Sequence, residues 1–309
     1  MSSIAGLQRA PTPERPGPGP MPDALLRALD ISIGRRMDAL LAGDYRATIH
    51  GEGSELAQIR LYVPGDDVRL IDWNVTARTG ETHVRVNLAE RVLVTWLMLD
   101  TSPSMVFGTA DRRKADVAEG VAIAFGHVAT RRGNRLGIVT FGDDRPRSLP
   151  PRQGRVGLLG LLSTLRDEPG LENAGATSLG EALHRTASLA RQRSAVVVVS
   201  DFRGPLDWRR PLLELSSRHD VIAVEIRDPR EQELPNAGVL WLVDPETGRQ
   251  LRADTRNERL RARFATAAAA ERAELARVLA AAGARHVVLT TAGDWLRSFA
   301  VFLRRGARR

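Results

Sequence analysis

Two short segments made almost entirely of apolar residues constrain the fold of this chain more than any other feature. Residues 92–99 and 195–200 do not alternate apolar with polar side chains, as strands exposed on one face do. Strands of this kind are buried on both faces, which happens when helices cover both sides of a parallel sheet. The two segments therefore predict an α/β protein with a doubly wound, mostly parallel sheet.

The rest of the chain repeats the same alternation of strands and helices. Apolar residues at helical spacing predict helices near residues 114–130, 156–165, 179–190, 206–216 and 257–282, and a final helix at the end of the chain. Further strands are expected at residues 136–141, 221–226 and 286–289, with a hairpin around 239–251. Helices between successive strands are typical of a parallel sheet.

A length of 309 residues favours one core domain with an accessory region. Residues 1–22 are rich in proline and glycine and are expected to form a disordered, extended tail. Residues 23–90 are expected to hold an N-terminal helix, over 23–41, and a small β-rich accessory segment. The α/β domain is then predicted over residues 91–309.

Composition excludes several classes of function. The chain has no cysteine, which excludes disulfides, zinc-thiolate sites and thiol catalysis and fits a cytoplasmic protein. No apolar run approaches the roughly 20 residues that cross a bilayer, so no membrane span is expected. The net charge is +8, but the arginines are interspersed with acids and only two tyrosines are present. We therefore do not expect nucleic-acid binding, which is kept as an alternative.

Oxygen-bearing side chains follow both of the buried strands. Asp100, Ser102 and Ser104 come directly after the first strand, and Asp201 follows the second. Between them, Thr177 lies in a glycine-flanked loop before a helix. In an open α/β sheet, ligands bind outside the carboxyl ends of the strands, where the strand order reverses. Few carboxylates together with hydroxyls suit Mg²⁺, with Mn²⁺ or Ca²⁺ as alternatives.

Taken together, these five residues resemble the metal-ion-dependent adhesion site of von Willebrand factor A domains, a Rossmann-like fold. The resemblance implies that Ser102, Ser104 and Thr177 bind the metal directly, while Asp100 and Asp201 act largely through waters. A metal with so few negative ligands can also accept an acidic side chain from a partner protein. Each residue alone has an ordinary explanation, as an N-cap or a turn residue, and it is their combination that favours a metal site.

A second motif lies upstream, at residues 60–73, and continues to Ala77 and Arg78. It resembles the signature of the bacterial family called domain of unknown function fifty-eight, in which it precedes a von Willebrand factor A-like domain. Family members are typically encoded beside MoxR-type AAA+ ATPases, which implies a role as partner or adaptor of such an ATPase. Many members begin with membrane helices, and this chain departs from them.

The motif itself predicts a turn at residues 64–67 between two β segments. Its arginines and Asp72 are expected to form ion pairs, and Trp73 is expected to anchor the segment. The motif is therefore interpreted as a structural element that stabilises this part of the protein. The alternative is a partner-binding surface, because exposed turns with Arg and Trp are common at protein interfaces. That surface would comprise Arg69, Asp72, Trp73 and Arg78.

The enzyme signatures sought in the sequence are absent, namely the P-loop, the paired-histidine zinc motif and the serine elbow. The best enzymatic alternative is an aspartyl-nucleophile phosphotransferase, because Asp100 follows a buried strand. Such enzymes have a second Asp two positions on, where this chain has Ser102, and we do not expect the only lysine, Lys114, to serve as their lysine. The sequence thus favours a non-enzymatic, metal-dependent protein-binding module.

Overall fold

The computed structural model describes residues 17–20, 55–88, 94–129, 134–143, 146–154, 157, 178–204, 206–244 and 248–306. These residues divide between two compact units, one within Met1–Arg36 and Leu93–Arg309 and the other within Met37–Val92. The helices predicted over 23–41 and 156–165 lie outside the described residues, apart from residue 157. In the part of the chain that is described, no helix is both long and apolar enough to cross a membrane.

The smaller unit contains two antiparallel strands and a short helix: β1 (Glu55–Leu61), α1 (Trp73–Thr79) and β2 (His83–Leu88). The β strands were predicted, whereas α1 was not. The side chain of Asp72 accepts hydrogen bonds from the backbone N–H groups of Asn74 and Val75, which starts the helix. Gly80, at φ 77°, ends it in the left-handed conformation that glycine adopts readily.

The larger unit contains eight described strands and five described helices. The strands are β3 (Val94–Asp100), β4 (Arg135–Phe141), β5 (Ser148–Gln153), β6 (Ala195–Ser200), β7 (Asp220–Arg227), β8 (Val239–Val243), β9 (Gln250–Asp254) and β10 (Arg285–Thr290). The helices are α2 (Lys114–Ala129), α3 (Leu179–Leu189), α4 (Arg209–Arg218), α5 (Glu258–Ala281) and α6 (Trp295–Gly306). Strands β8 and β9 form the predicted hairpin.

Six of these strands form one sheet in the order β10-β7-β6-β3-β4-β5, and every pairing is parallel except that of β5. Counted along the chain, this is the 3-2-1-4-5-6 order of a doubly wound fold, and the order reverses between β3 and β6. The predicted fold class, an α/β protein with a doubly wound, mostly parallel sheet, is confirmed. Strand β5 was not predicted, because Pro150 and Pro151 weaken its pattern, but an edge strand tolerates prolines.

The core lies on both faces of this sheet. Trp96 and Met98 of β3 belong to the buried cluster that α3, α4 and α5 cover on one face. Successive residues of a strand point to opposite faces, so Leu97 and Leu99 face the other side. There α2 packs against α6, with the Phe125 and Phe299 rings 5.7 Å apart. Because β3 is buried throughout, its carboxyl end is held rigidly.

Candidate metal centre

The sheet register brings the ends of β3 and β6 side by side. Leu99 pairs with Val199, so the next residues, Asp100 and Ser200, end their strands at the same level. The hydroxyl of Ser200 donates to Oδ2 of Asp100 at 2.5 Å and accepts from the backbone N–H of Phe202 at 2.8 Å. This pair of bonds links the loops that follow the two strands. The two predicted segments therefore meet where the strand order reverses.

The loop after Asp100 turns its hydroxyls toward that carboxylate. A short 3-10 turn covers Pro103–Val106, and Ser102 stands at its N-cap without a side-chain capping hydrogen bond. The Ser102 Oγ atom instead lies 3.0 Å from the Oγ of Ser104, and the Ser102 N–H donates to Oδ1 of Asp100 at 2.9 Å. The ordinary N-cap explanation thus does not apply to the Ser102 hydroxyl.

A glycine on β4's side of the site allows this close approach. A Cβ on Gly142 would lie 2.7 Å from Oδ1 of Asp100 and 2.7 Å from the backbone N of Ser102. Gly142 also has φ 92°, which other residues rarely adopt. A side chain at this position would push the loop away from Asp100.

Asp201 completes the cluster from β6. Its carboxylate is hydrogen-bonded to Ser104, and its Oδ1 accepts the Arg203 N–H at 3.0 Å. Phe202, the next residue, has φ 54°, a strained value for a residue with a side chain. Asp100, Ser102, Ser104 and Asp201, four of the five predicted ligands, thus form one continuous hydrogen-bonded series.

The pKa values of the two carboxylates in this series are shifted in opposite directions. Burial, together with the negative charge of Asp201, raises the pKa of Asp100 to about 6, although hydrogen bonds from Ser102 and Ser200 oppose the rise. Burial alone would also raise the pKa of Asp201, but the ammonium of Lys114 outweighs it and holds that pKa below the ordinary value. Asp100 is therefore the carboxylate whose charge is poorly compensated.

Lys114 is a member of the site that sequence reasoning did not find. Its ammonium is fully buried and donates to Oδ2 of Asp201 at 2.6 Å and to Oε1 of Glu231 at 2.7 Å. Burial would lower the pKa of Lys114, but the two carboxylates outweigh it and raise that pKa, so the lysine stays charged. Lys114 was considered from the sequence only as the lysine of a phosphotransferase, and its pairing with Asp201 was not predicted.

The donor set suits a hard divalent cation. Asp100, Asp201 and Glu231 bring three carboxylates to the region, and Lys114 supplies one compensating charge. Among the described residues no group of three or more His, Cys, Asp or Glu side chains could hold a metal ion by itself. A metal here would therefore need other oxygen donors, which the Ser102 and Ser104 hydroxyls could supply, and Mg²⁺ also retains waters.

Thr177, the fifth predicted ligand, lies outside the described residues, which resume at Ser178. Ser178 caps α3, its hydroxyl accepting from the backbone N–H of Glu181 at 3.2 Å. Sequence reasoning also missed Ser200 and Glu231. Ser200 precedes Asp201 directly, which was a usable signal, whereas nothing in the sequence pairs Lys114 with Glu231, 117 positions away.

The upstream motif, residues 60–78, lies entirely in the smaller unit. Asp72 is buried, caps α1 and forms an ion pair with Arg85 at 2.9 Å. Trp73 is 69% exposed and so is not the predicted anchor. The backbone N–H of Arg69 donates to Asp67, and the Arg78 side chain donates to the Asn74 carbonyl. Asp72 thus has a structural role, while Trp73, Arg69 and Arg78 remain on the surface.

The chain is similar to proteins of one family. The family model described as "Protein of unknown function DUF58" matches residues 58–274. "Uncharacterized protein Rv1480" of Mycobacterium tuberculosis is 41% identical over 287 residues, which cover 92% of this chain and 90% of that protein. "Uncharacterized protein Mb1516" of Mycobacterium bovis matches with the same identity and coverage.

Solved structures with a similar fold are more distant. A conserved hypothetical protein BatB from Bacteroides thetaiotaomicron aligns with a TM-score of 0.44 and 15% identity, covering 70% of this chain and 100% of that chain. The SpRpn10 VWA domain aligns with a TM-score of 0.37 and 14% identity, covering 68% of this chain and 94% of that chain.

Proposed function

This chain belongs to the family of proteins of unknown function DUF58, and on that basis we propose that it is a non-enzymatic, metal-dependent protein-binding module. Asp100, Ser102, Ser104, Thr177 and Asp201 would hold one Mg²⁺ ion, and an acidic side chain of a partner would complete its ligands. The observation that carries the proposal is the hydrogen-bonded series from Asp100 through Ser102 and Ser104 to Asp201.

The chemistry of the series supports this use. A bound cation would supply the positive charge that the buried Asp100 lacks, and it would polarise a carboxylate brought by another protein. Two protein carboxylates leave the ion short of negative ligands, so an outside carboxylate gains more there than in water. Ser102 and Ser104 would be ligands, while Lys114 holds Asp201 in place.

The proposed partner is a MoxR-type AAA+ ATPase in the cytoplasm, with this chain as its adaptor in remodelling or maturation of another protein. This part rests on the family resemblance and on the absence of cysteine from the sequence. The exposed Trp73, with Arg69 and Arg78 nearby in sequence, offers a second contact surface on the smaller unit.

Calorimetry with MgCl₂ tests the metal site. The double substitution Ser102→Ala and Ser104→Ala should weaken Mg²⁺ binding at least about tenfold, a loss of about 1.4 kcal/mol. The matched control replaces Ser188 and Ser217 by alanine, because both are exposed serines in the last turns of α3 and α4, and it should bind as the native chain does. Equal affinity of native and double-substituted chains would contradict the metal site.

A pull-down with a MoxR-type AAA+ ATPase tests the partner. Capture should be lost in EDTA and in the Ser102→Ala, Ser104→Ala chain, and should return when Mg²⁺ is restored to the native chain. Capture that persists in EDTA would remove the metal from the interface, whatever calorimetry finds.

The buried Lys114 beside Asp201 is the one observation that favours the enzymatic alternative, an aspartyl-nucleophile phosphotransferase. Against it, both oxygens of Asp100 already accept hydrogen bonds, and the acid–base position two residues on is Ser102. Phosphate release from acetyl phosphate that disappears in Asp100→Asn would support the enzyme. No turnover in the native chain would leave the binding module as the function.

A further inference from the structure

A short segment of the proline-rich N-terminal region is held against the larger unit. The carbonyl oxygen of Pro18 accepts the indole N–H of Trp295 at 2.9 Å and a guanidinium N–H of Arg112 at 3.3 Å. Trp295, the first residue of α6, is 2% exposed with this segment in place. Buried indole N–H groups usually donate to an acceptor, and here the acceptor comes from a distant part of the chain.

The surface that receives Pro18 is shaped by a glycine in the middle of α2. A Cβ on Gly120 would lie 2.3 Å from Cζ2 of Trp295 and 2.9 Å from Cβ of Pro18. Any other residue would therefore keep the tryptophan and the proline from the helix. Glycine within a helix is destabilising relative to alanine, so its presence here is explained by the close approach.

The held segment has a shape that its own sequence specifies. Gly17 has φ 69° and Gly19 has φ 81°, values open to glycine, while the ring of Pro18 between them restricts the backbone. A Cβ on Gly19 would also lie 3.6 Å from Nη1 of Arg112, at the edge of the contact. A Gly-Pro-Gly sequence thus presents one carbonyl to two donors at low conformational cost.

The receiving surface also joins the loop that leads to Lys114. Asp111, next to Arg112, accepts the backbone N–H of Gly293 at 2.7 Å, which connects this loop to the residues before α6. Trp295, Gly120 and Arg112 therefore form a cleft around Pro18 that is built from three parts of the same unit.

We propose that the cleft of Trp295, Gly120 and Arg112 is a binding site for Gly-Pro-Gly segments, whose resident ligand is the chain's own Gly17–Pro20. The segment is a tethered ligand: its contacts are two hydrogen bonds and one proline packed on an indole. Tethering makes the binding of such a segment intramolecular, so weak contacts are enough to keep it bound. This site is independent of the metal.

Hydrogen exchange of the indole N–H groups in the ¹⁵N-labelled full-length chain tests the site. The chain has five tryptophans, and the Trp295 signal is assigned by its loss in Trp295→Phe. In the double variant Gly17→Ala, Gly19→Ala, positive φ is disfavoured, and we expect Trp295 to exchange at least about tenfold faster. The fully buried indoles of Trp96 and Trp208 report folding and should exchange as in the native chain.

A peptide that copies residues 14–21 is then added to the Gly17→Ala, Gly19→Ala chain. It should restore the slow exchange of Trp295, whereas the same peptide with alanine at both glycine positions should not. Unchanged exchange in the double variant, or equal restoration by both peptides, would overturn the proposal. Fast exchange that neither peptide slows would also overturn the proposal. The segment would then contact the cleft only as part of the same chain and not as a ligand that binds by itself.

Discussion

Asp100 and Asp201 end neighbouring parallel strands of one sheet, yet they differ in how their charge is compensated. Asp201 has a cation of the protein's own, the Lys114 ammonium at 2.6 Å, and its pKa is lowered. Asp100 receives hydrogen bonds from Ser200 and Ser102 but has an acid beside it, and its pKa is raised. The charge of Asp201 is compensated within the protein, whereas the charge of Asp100 would be compensated by a cation from the solvent.

A third carboxylate extends the comparison. Asp228 follows β7 and is fully buried, and it is satisfied by hydrogen bonds alone. It accepts from the N–H and the hydroxyl of Thr109, from the hydroxyl of Thr291 and from the N–H of Arg230. Burial would raise the pKa of Asp228, but these hydrogen bonds outweigh it and lower that pKa. Position at a strand end therefore does not by itself make a ligand site.

The largest effect is expected from Lys114→Met. Removing one partner of a buried ion pair leaves Asp201 and Glu231 uncompensated, at a cost of about 3–5 kcal/mol in the free energy of unfolding. Urea denaturation without divalent ions measures it. The control is Arg203→Ala, because Arg203 is partly exposed and lies 3.6 Å from Glu231, and it should change stability by less than about 1 kcal/mol. Equal effects of the two changes would mean that Lys114 does not compensate these acids.

Asp228→Ala should lower the free energy of unfolding by about 3 kcal/mol at pH 7, because buried donors to a charged acceptor lose their partner. A carboxyl with a lowered pKa stabilises the fold above its unfolded pKa of about 4, and that contribution is lost as pH falls through the lower folded value. The difference between native and substituted chains should thus shrink toward pH 3. As a control, the exposed cap Asp294 replaced by alanine should cost about 1 kcal/mol. A loss for Asp228→Ala no larger than this would refute the role given to it.

Asp100→Asn should have the smallest effect and the opposite sign. Without divalent ions, removing a charge whose pKa is raised to about 6 should stabilise the fold by about 1–2 kcal/mol, after allowance for a poorer hydrogen bond to Ser200. With Mg²⁺ the native chain should gain stability and the Asp100→Asn chain should not. Thermal unfolding with and without MgCl₂ measures both. Destabilisation of the metal-free chain would show that Asp100 resembles Asp228.

Most elements of the sheet could be predicted because burial on both faces leaves a strong local pattern. The strand at Ala195–Ser200 was predicted with its observed bounds, and α5 was predicted to within one residue at each end. Strand β5 escaped because two prolines mask an edge strand, and α1 escaped because a seven-residue helix has little periodicity of its own. The pairing of β5 with β4 is a contact between segments, which a local pattern does not encode, whereas the Asp72 cap of α1 was a usable local signal.

The sequence by itself determined where the buried strands lie along the chain and which oxygen-bearing residues follow them. Both features depend only on residues that are neighbours in sequence. Only the tertiary structure decided which of those residues meet, that Lys114 faces Asp201, and that Pro18 reaches Trp295, 277 positions away. Such contacts depend on strand order and on close approach at glycines such as Gly120 and Gly142. Those are properties of the folded chain, because interactions between remote residues arise only once the sheet and its helices have packed.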